Sequence, residues 1–161
     1  MKKKFNHNRL LLWLCVFSLA VMIVALAFSG GNEPQVVFTP PPFEKMAQTG
    51  VPDVPSDCGW TQVDAKVYKA SVCGEISVSN GEAELWFTNP AENTVWLKLR
   101  VLDGKGNILG ETGVLRPNEY VRTVELSRSL RAGEPIKLKI MGYEPGTYYS
   151  AGSVVLNTQA S

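Results

Sequence analysis

The hydrophobic residues of this chain follow two patterns, one near the N-terminus and another in the C-terminal two thirds. Residues 10–28 read LLLWLCVFSLAVMIVALAF, an apolar run without a charged residue, a proline or a glycine. As an α-helix rising about 1.5 Å per residue, this run would be about 28 Å long, close to the thickness of a bilayer's hydrocarbon core. The pattern therefore predicts one transmembrane helix at residues 10–28.

Beyond Cys58, apolar residues alternate with polar ones, which is the period of a half-buried β-strand. Three segments show the alternation most clearly, and one set of residues in each is expected to face a core. These sets are Ala83, Leu85 and Phe87, then Val95, Leu97, Leu99 and Val101, and then Ile136, Leu138 and Ile140. Turn-forming residues interrupt the alternation at short intervals. The predicted fold class of residues 58–161 is all-β, an immunoglobulin- or fibronectin III-like two-sheet sandwich of about seven strands.

One pairing of strands can be predicted in detail. A hairpin closed by residues 89–93, with Thr88 opposite Thr94, would bring every outward pair into register. These pairs would be Trp86 with Trp96, Glu84 with Lys98, and Glu82 with Arg100. The alternative is a loop that crosses from one sheet to the other, so that the two strands keep their facing but do not pair.

Residues 29–57 separate the apolar run from the predicted domain. They hold six of the ten prolines and show no sustained period of either helix or strand. This composition predicts a proline-rich linker. The short apolar patches at residues 36–38 and at Phe43 offer an alternative, an accessory strand or a docking contact, but the composition favours a solvated linker.

Charge distribution sets the expected orientation and compartment. Residues 1–9 carry Lys2, Lys3, Lys4 and Arg9 without a carboxylate, so they are predicted to be a cytoplasmic tail. The prediction is a single-pass cell-membrane protein that contacts the lipid bilayer through residues 10–28, with its C-terminal domain outside the cytoplasm. Cleavage of a signal peptide after Ala27 is the alternative, because the preceding residues have the small-x-small form. Both interpretations export the domain.

Two cysteines follow the apolar run within the exported part. Cys58 and Cys73 are predicted to form a disulfide, and closing a loop of about 15 residues would stabilise a small domain by about 3 kcal/mol. The alternative is two unpaired thiols, since export does not guarantee an oxidising enzyme.

Composition argues against several classes of function. With 16 basic and 15 acidic residues the net charge is +1, so no basic field and no nucleic-acid partner are expected. The single histidine, His7, lies on the predicted cytoplasmic side, which leaves no imidazole base for an exported nucleophile. Two cysteines without histidine partners do not make a zinc site, and no pattern brings two carboxylates together for glycoside hydrolysis. We expect no enzyme, no metal and no cofactor.

The tryptophans are the strongest indication of a binding surface. Trp86 and Trp96 are predicted to point outward, and aromatic side chains dominate protein recognition sites and carbohydrate platforms. A cross-strand pair covered in part by the segment around Trp60 is the alternative, and it is favoured because tryptophans are usually well buried.

Three turns from residue 85 onward carry a resemblance to known proteins. They are an F-x-N-P-x-x-N turn (Phe87, Asn89, Pro90, Asn93), a D-x-x-G hairpin (Asp103, Gly106) and an L-x-P turn (Leu115, Pro117). With these turns the last ninety residues, roughly, resemble a group of small exported, membrane-anchored immunoglobulin-like proteins of Gram-positive bacteria, most of them uncharacterised. In that group the last turn often ends in glycine, whereas Asn118 stands here. The resemblance implies a β-sandwich at the cell surface and transfers no catalytic or ligand residue.

Two functions are therefore expected from the sequence. The first is a noncatalytic, membrane-anchored cell-surface module, a structural or protein-binding component of an envelope assembly. The second is a carbohydrate or cell-wall binding module that uses Trp86 and Trp96 as a stacking platform. The partner would be an unknown extracellular protein in the first case and a glycan in the second.

Overall fold

The N-terminal part of the chain forms a helix. The structure is a computed structural model that describes residues 7–29 and 38–161, and the chain divides into two units, Met1–Thr39 and Pro40–Ser161. In the first unit, helix α1 spans His7–Ser29. Within the described ranges no helix has the length and apolar character that crossing a membrane requires. The membrane crossing at residues 10–28 stays a prediction, and the predicted tail up to residue 6 and linker residues 30–37 lie outside the described ranges.

The second unit is built from β-strands. The strands are β1 (Gln48–Thr49), β2 (Thr61–Asp64), β3 (Lys69–Val72), β4 (Ser77–Ser79), β5 (Glu82–Asn89), β6 (Trp96–Asp103), β7 (Ile108–Glu111), β8 (Glu119–Glu125), β9 (Pro135–Tyr143) and β10 (Ser150–Gln159). Sheet 1 has the order β1-β8-β5-β3-β2, with β4 also paired to β5, and sheet 2 has the order β10-β9-β6-β7. This architecture confirms the prediction of an all-β sandwich. The strand count exceeds seven because short strands such as β1, β2 and β4 carry too few residues to show a period.

The core lies between the two sheets and includes the residues that the alternation assigned to it, together with others such as Tyr68, Ile76 and Leu115. All three predicted sets are buried, with Leu85, Phe87, Leu97, Leu99 and Ile140 completely inaccessible to solvent. Because side chains on a strand alternate between its two faces, the polar residues between them point outward. The facing of β5, β6 and β9 was therefore predicted correctly.

Strands β5 and β6 lie in different sheets, which corrects the predicted hairpin. The loop between them is held by side-chain hydrogen bonds instead of a strand ladder. The buried Asn89 amide donates to the carbonyls of Val95 and Leu115, both at 3.0 Å. Asn93 donates to Asn89 Oδ1 at 2.7 Å and to the carbonyl of Lys69 at 2.6 Å. These bonds satisfy the backbone groups at the crossing, so the alternative of a loop between sheets is the one realised.

Residues 40–57 belong to the β unit, which corrects the predicted linker of residues 29–57 and the predicted domain start at residue 58. Phe43 forms a parallel bridge with Val114, and the backbone N–H of Glu44 donates to the carbonyl of Val114 at 2.9 Å. Strand β1 pairs with β8. The apolar ring of Phe43 and these backbone bonds outweigh the proline-rich composition, and the unit begins at Pro40.

Cys58 and Cys73 form a disulfide, as predicted, with their Cα atoms 5.3 Å apart. Cys73 is completely buried and follows β3, whereas Cys58 precedes β2. Backbone hydrogen bonds flank the bridge: Gly74 N–H donates to the Gly59 carbonyl and Glu75 N–H donates to the Cys58 carbonyl, both at 3.1 Å. The bridge therefore fastens the entry to β2 onto the end of β3.

Candidate functional site

The two tryptophans singled out by the sequence do not share a surface. Trp86 lies on β5 in sheet 1, and Trp96 lies on β6 in sheet 2. The ring of Trp96 contacts Phe43 and Tyr148 edge to face, with centroids 4.9 and 5.1 Å apart, and it is half-buried. The predicted stacking platform of Trp86 and Trp96 is therefore not formed, because its hairpin is not formed.

Trp86 occupies an irregular position in the middle of sheet 1. The pairing of β5 with β8 shifts register between Glu84 and Phe87, and Trp86 has a φ of 48°. A bulky residue in the left-handed region is uncommon, and a bulge in a central strand re-aims the side chain that it carries. Trp86 lies on the outer face of sheet 1, as strand alternation predicts, while its neighbours Leu85 and Phe87 lie in the core.

Neighbouring side chains fix the orientation of the Trp86 ring. Its ring stacks on that of Tyr120, with centroids 6.2 Å apart and planes inclined by 26°. The indole N–H donates to Glu84 Oε1 at 3.0 Å, and Arg122 Nε donates to the same oxygen at 2.9 Å. The guanidinium of Arg122 also lies 5.1 Å from the centroid of the Trp86 ring. A half-buried ring with these contacts is held rigidly before any ligand arrives.

A second tryptophan extends this surface. The indole N–H of Trp60 donates to the backbone carbonyl of Trp86 at 3.3 Å, and Thr88 Oγ1 donates to the same carbonyl at 3.1 Å. Trp60 remains 40% exposed. The alternative of a Trp86–Trp96 pair covered by the segment around Trp60 is therefore not realised as a pair, although Trp60 does contact Trp86. We call Trp60, Trp86 and Tyr120 the aromatic surface.

A cleft of about 300 Å³ adjoins the aromatic surface. Its apolar lining comes from Trp60, Val51 and the loop residues Pro90 and Ala91, and Val51 is 83% exposed. Polar groups from residues such as Thr88 also line it. An apolar lining with a few polar groups is the composition of a binding site. No group of three or more side chains able to hold a metal is found in the described ranges.

Sequence reasoning singled out Trp86 and named the segment around Trp60 only as a cover for it, and it missed Tyr120 and Val51. Trp86 was singled out, but Tyr120 lies in a strand with weak alternation, and Val51 lies in the segment predicted as linker. The signal available for Val51 was its apolar character within a proline-rich stretch. The register shift at Trp86 has no sequence signature here, since no glycine marks it.

Comparison with known proteins gives no further assignment. No family model matches the chain, and no curated protein is significantly similar to it. The resemblance to exported proteins of Gram-positive bacteria stays a hypothesis.

Proposed function

We propose that residues 40–161 form a noncatalytic binding module that recognises another protein through the aromatic surface and its cleft. The observation that carries this proposal is the exposed apolar pair Val51 and Trp60 beside a rigidly held Trp86. Large apolar side chains exposed next to a cleft and bordered by polar groups are typical of protein interaction sites. An apolar side chain of a partner would fill the cleft and release water from both surfaces.

Protein is a better-supported partner than a glycan. Carbohydrate modules stack sugar rings on exposed aromatic faces, and here the Trp86 ring already contacts Tyr120 and Arg122. Trp96 lies on the other sheet with its ring against Phe43 and Tyr148. The carbohydrate alternative thus loses the paired indoles that motivated it.

We further propose that the sandwich is immunoglobulin-like. Strands β3, β5 and β8 are neighbours in sheet 1, and β6, β9 and β10 are neighbours in sheet 2. This order corresponds to strands A-B-E and C-F-G of immunoglobulin-type domains. The parallel bridge between Ile76, just before β4, and Ala160, just after β10, closes one side of the sandwich. Recognition through a rigid sandwich is consistent with this class of fold.

The module is proposed to act outside the cytoplasm at the cell surface, with the N-terminal segment as its export signal or anchor. The disulfide supports this location, because disulfides persist in oxidising compartments. The uncharged residues 10–28 behind a basic tail support it as well. Protease added to intact cells should digest the β unit. Digestion only after lysis would refute the location.

Photo-crosslinking in the producing cell tests the binding proposal. A benzoylphenylalanine residue at Val51 should form an adduct with one partner protein, because this position lines the cleft and is exposed. The matched control places the same residue at Tyr149, which is 71% exposed in the turn before β10 in sheet 2. We expect the Val51 adduct to be absent at Tyr149 and to disappear when Trp60→Ala is combined with the crosslinker.

The result also separates the competing functions. An adduct at Val51 that proteases leave intact but glycosidases remove would favour the carbohydrate alternative. Identical adducts at both positions, or a Val51 adduct that persists with Trp60→Ala, would overturn recognition through the aromatic surface.

A further inference from the structure

The outer face of sheet 2 carries a row of positive charges that the function proposed above does not use. Strand β6 contributes Lys98 and Arg100, and the neighbouring strand β9 contributes Lys137 and Lys139. In the register of these strands Arg100 lies directly opposite Lys139. Side chains directly opposite each other on a sheet have Cβ atoms about 5 Å apart, and like charges there destabilise the pair. The fold therefore tolerates a repulsion between Arg100 and Lys139 that a neutral residue at either position would remove.

Among the ion pairs of the described residues, one carboxylate counters these cations. Glu111 on β7 accepts hydrogen bonds from Lys98 Nζ and from Arg100 Nε, both at 2.7 Å. Among the described ion pairs none includes Lys137 or Lys139. These four cations and one carboxylate together carry an excess of three positive charges, whereas the whole chain has a net charge of only +1.

The three cations that can meet a ligand are Arg100, Lys137 and Lys139. Their side chains are half-buried, so their aliphatic stems lie along the sheet and their charged ends reach solvent. Lys98 is only 5% exposed and serves to hold Glu111. Strand β10, at the edge beside β9, adds no charge, since Ser150–Gln159 reads SAGSVVLNTQ.

We propose that this face binds a linear polymer of phosphate groups through Arg100, Lys137 and Lys139. Residues two apart on a strand are about 7 Å apart, so the cations form a short regular grid that suits charges repeating along a chain. A guanidinium holds two phosphate oxygens at once, and lysines add point charges beside it. Recognition of an anionic lipid surface normally uses four to eight basic residues, more than this face offers.

This inference does not depend on the proposed function, because it concerns the opposite sheet. It departs from the expectation, drawn from net charge, that no basic field is present.

Binding of the full chain to fluorescently labelled inorganic polyphosphate, in nonionic detergent, tests the proposal by anisotropy. We expect Lys137→Gln combined with Lys139→Gln to weaken binding at least tenfold. The slope of log affinity against log salt concentration should also become shallower by about two, since two phosphate contacts are lost. The control is Lys66→Gln combined with Lys69→Gln, which makes the same change in net charge at the turn between β2 and β3, in sheet 1.

A second variant keeps the test independent of folding defects. Glu111→Gln removes the single countering carboxylate and should tighten polyphosphate binding severalfold. Equal weakening by the control pair, or no tightening by Glu111→Gln, would overturn the assignment of this face. Competition by orthophosphate as strong as that by the polymer, or displacement by micelles containing phosphatidylglycerol, would overturn the polymer as ligand.

Discussion

The side chains of Asn89 and Asn93 hold the loop by which the chain crosses from sheet 1 to sheet 2. Asn89 is completely buried, and its amide satisfies two backbone carbonyls that belong to the β5–β6 loop and to the segment before β8. Asn93 returns a hydrogen bond to Asn89 and also accepts one from the backbone N–H of Lys69 at 3.0 Å. Both residues belong to the turn on which the resemblance to exported proteins rests. Their side chains join strands β3 and β5, the β5–β6 loop and the segment before β8 at one point.

Replacing Asn89 should therefore destabilise the β unit. In Asn89→Ala the carbonyl of Val95 loses the amide that donates to it, and Asn93 loses an acceptor. Leaving buried polar groups unpaired should lower the free energy of unfolding by about 2 to 3 kcal/mol. Urea unfolding followed by tryptophan fluorescence measures this loss. The exposed Asn157→Ala on β10 is the control, and an equal effect of both variants would contradict the role of Asn89.

Glu111 gives a pH dependence at the scale of one residue. Burial raises its pKa, but hydrogen bonds and charge from Lys98 and Arg100 outweigh this, so the pKa lies below its ordinary value of 4.5. A carboxylate with a lowered pKa in the folded state contributes stability above pH 4.5, and that stability is lost as pH falls through the folded-state pKa. Because the side chain is 39% exposed, solvent screening limits the contribution to below about 1 kcal/mol.

The variant Glu111→Gln should consequently be slightly less stable than the wild type at pH 7. The difference in free energy of unfolding should shrink as pH falls below 4.5, where Glu111 becomes protonated in the wild type. Urea titrations at several pH values measure it. A difference that stays constant between pH 7 and pH 3 would show that ionisation of Glu111 is not its cause.

At the scale of elements, the alternation of residues predicted which face of each strand is buried but not which strand is its neighbour. Ala83, Leu85 and Phe87 are all buried, as the period of two requires. The favourable cross-strand charges of the predicted hairpin were equally available to other partners: Glu84 pairs with Arg122 and Lys98 pairs with Glu111. Strand pairing depends on whether the connecting loop stays in one sheet or crosses to the other. Here the hydrogen bonds of Asn89 hold the β5–β6 loop in the crossing form. The candidate site depends on which residues lie beside Trp86, namely Tyr120 from β8 and Trp60, and the alternation within β5 does not identify them.

The disulfide should contribute measurably to the stability of the β2–β3 element. Closing a loop between residues separated by 15 positions limits the unfolded chain and is worth about 3 kcal/mol. Adding a reductant should therefore lower the urea midpoint of the wild type. A variant with both Cys58→Ala and Cys73→Ala should not respond to the reductant. A wild-type midpoint that is the same with and without reductant would show that the bridge adds no stability.

At the scale of the whole molecule, the β unit is larger than its composition indicated. The proline content of residues 40–57 predicted a linker. In the structure this segment instead places Phe43 against Val114 and Trp96. The guanidinium of Arg116 also lies over the Phe43 ring, 3.7 Å from the ring centroid. Composition gives little weight to a single apolar side chain, yet more than half of the predicted linker belongs to the fold.

A truncation series tests this boundary. Chains that begin at Pro40 should unfold at the same urea concentration as the full chain, because they keep every contact of the β unit. Chains that begin at Cys58 should unfold at a clearly lower concentration, since they lose Phe43 and strand β1. Phe43→Ala in the full chain should reproduce part of the loss. Equal midpoints for the chains that begin at Pro40 and at Cys58 would restore the linker interpretation.

The passage of the chain from one sheet to the other between β5 and β6 has a kinetic consequence. Strand β5 pairs with β8, and β6 pairs with β9, so the partners in each pair are far apart in the sequence. The central pairings of both sheets therefore form only after long loops have been closed. Loop closure of this kind slows the folding of all-β sandwiches to milliseconds or seconds. During that interval the unpaired strands are exposed to misassembly and to proteolysis. Whether a new copy of the protein reaches the folded state therefore depends on its surroundings until both sheets have formed.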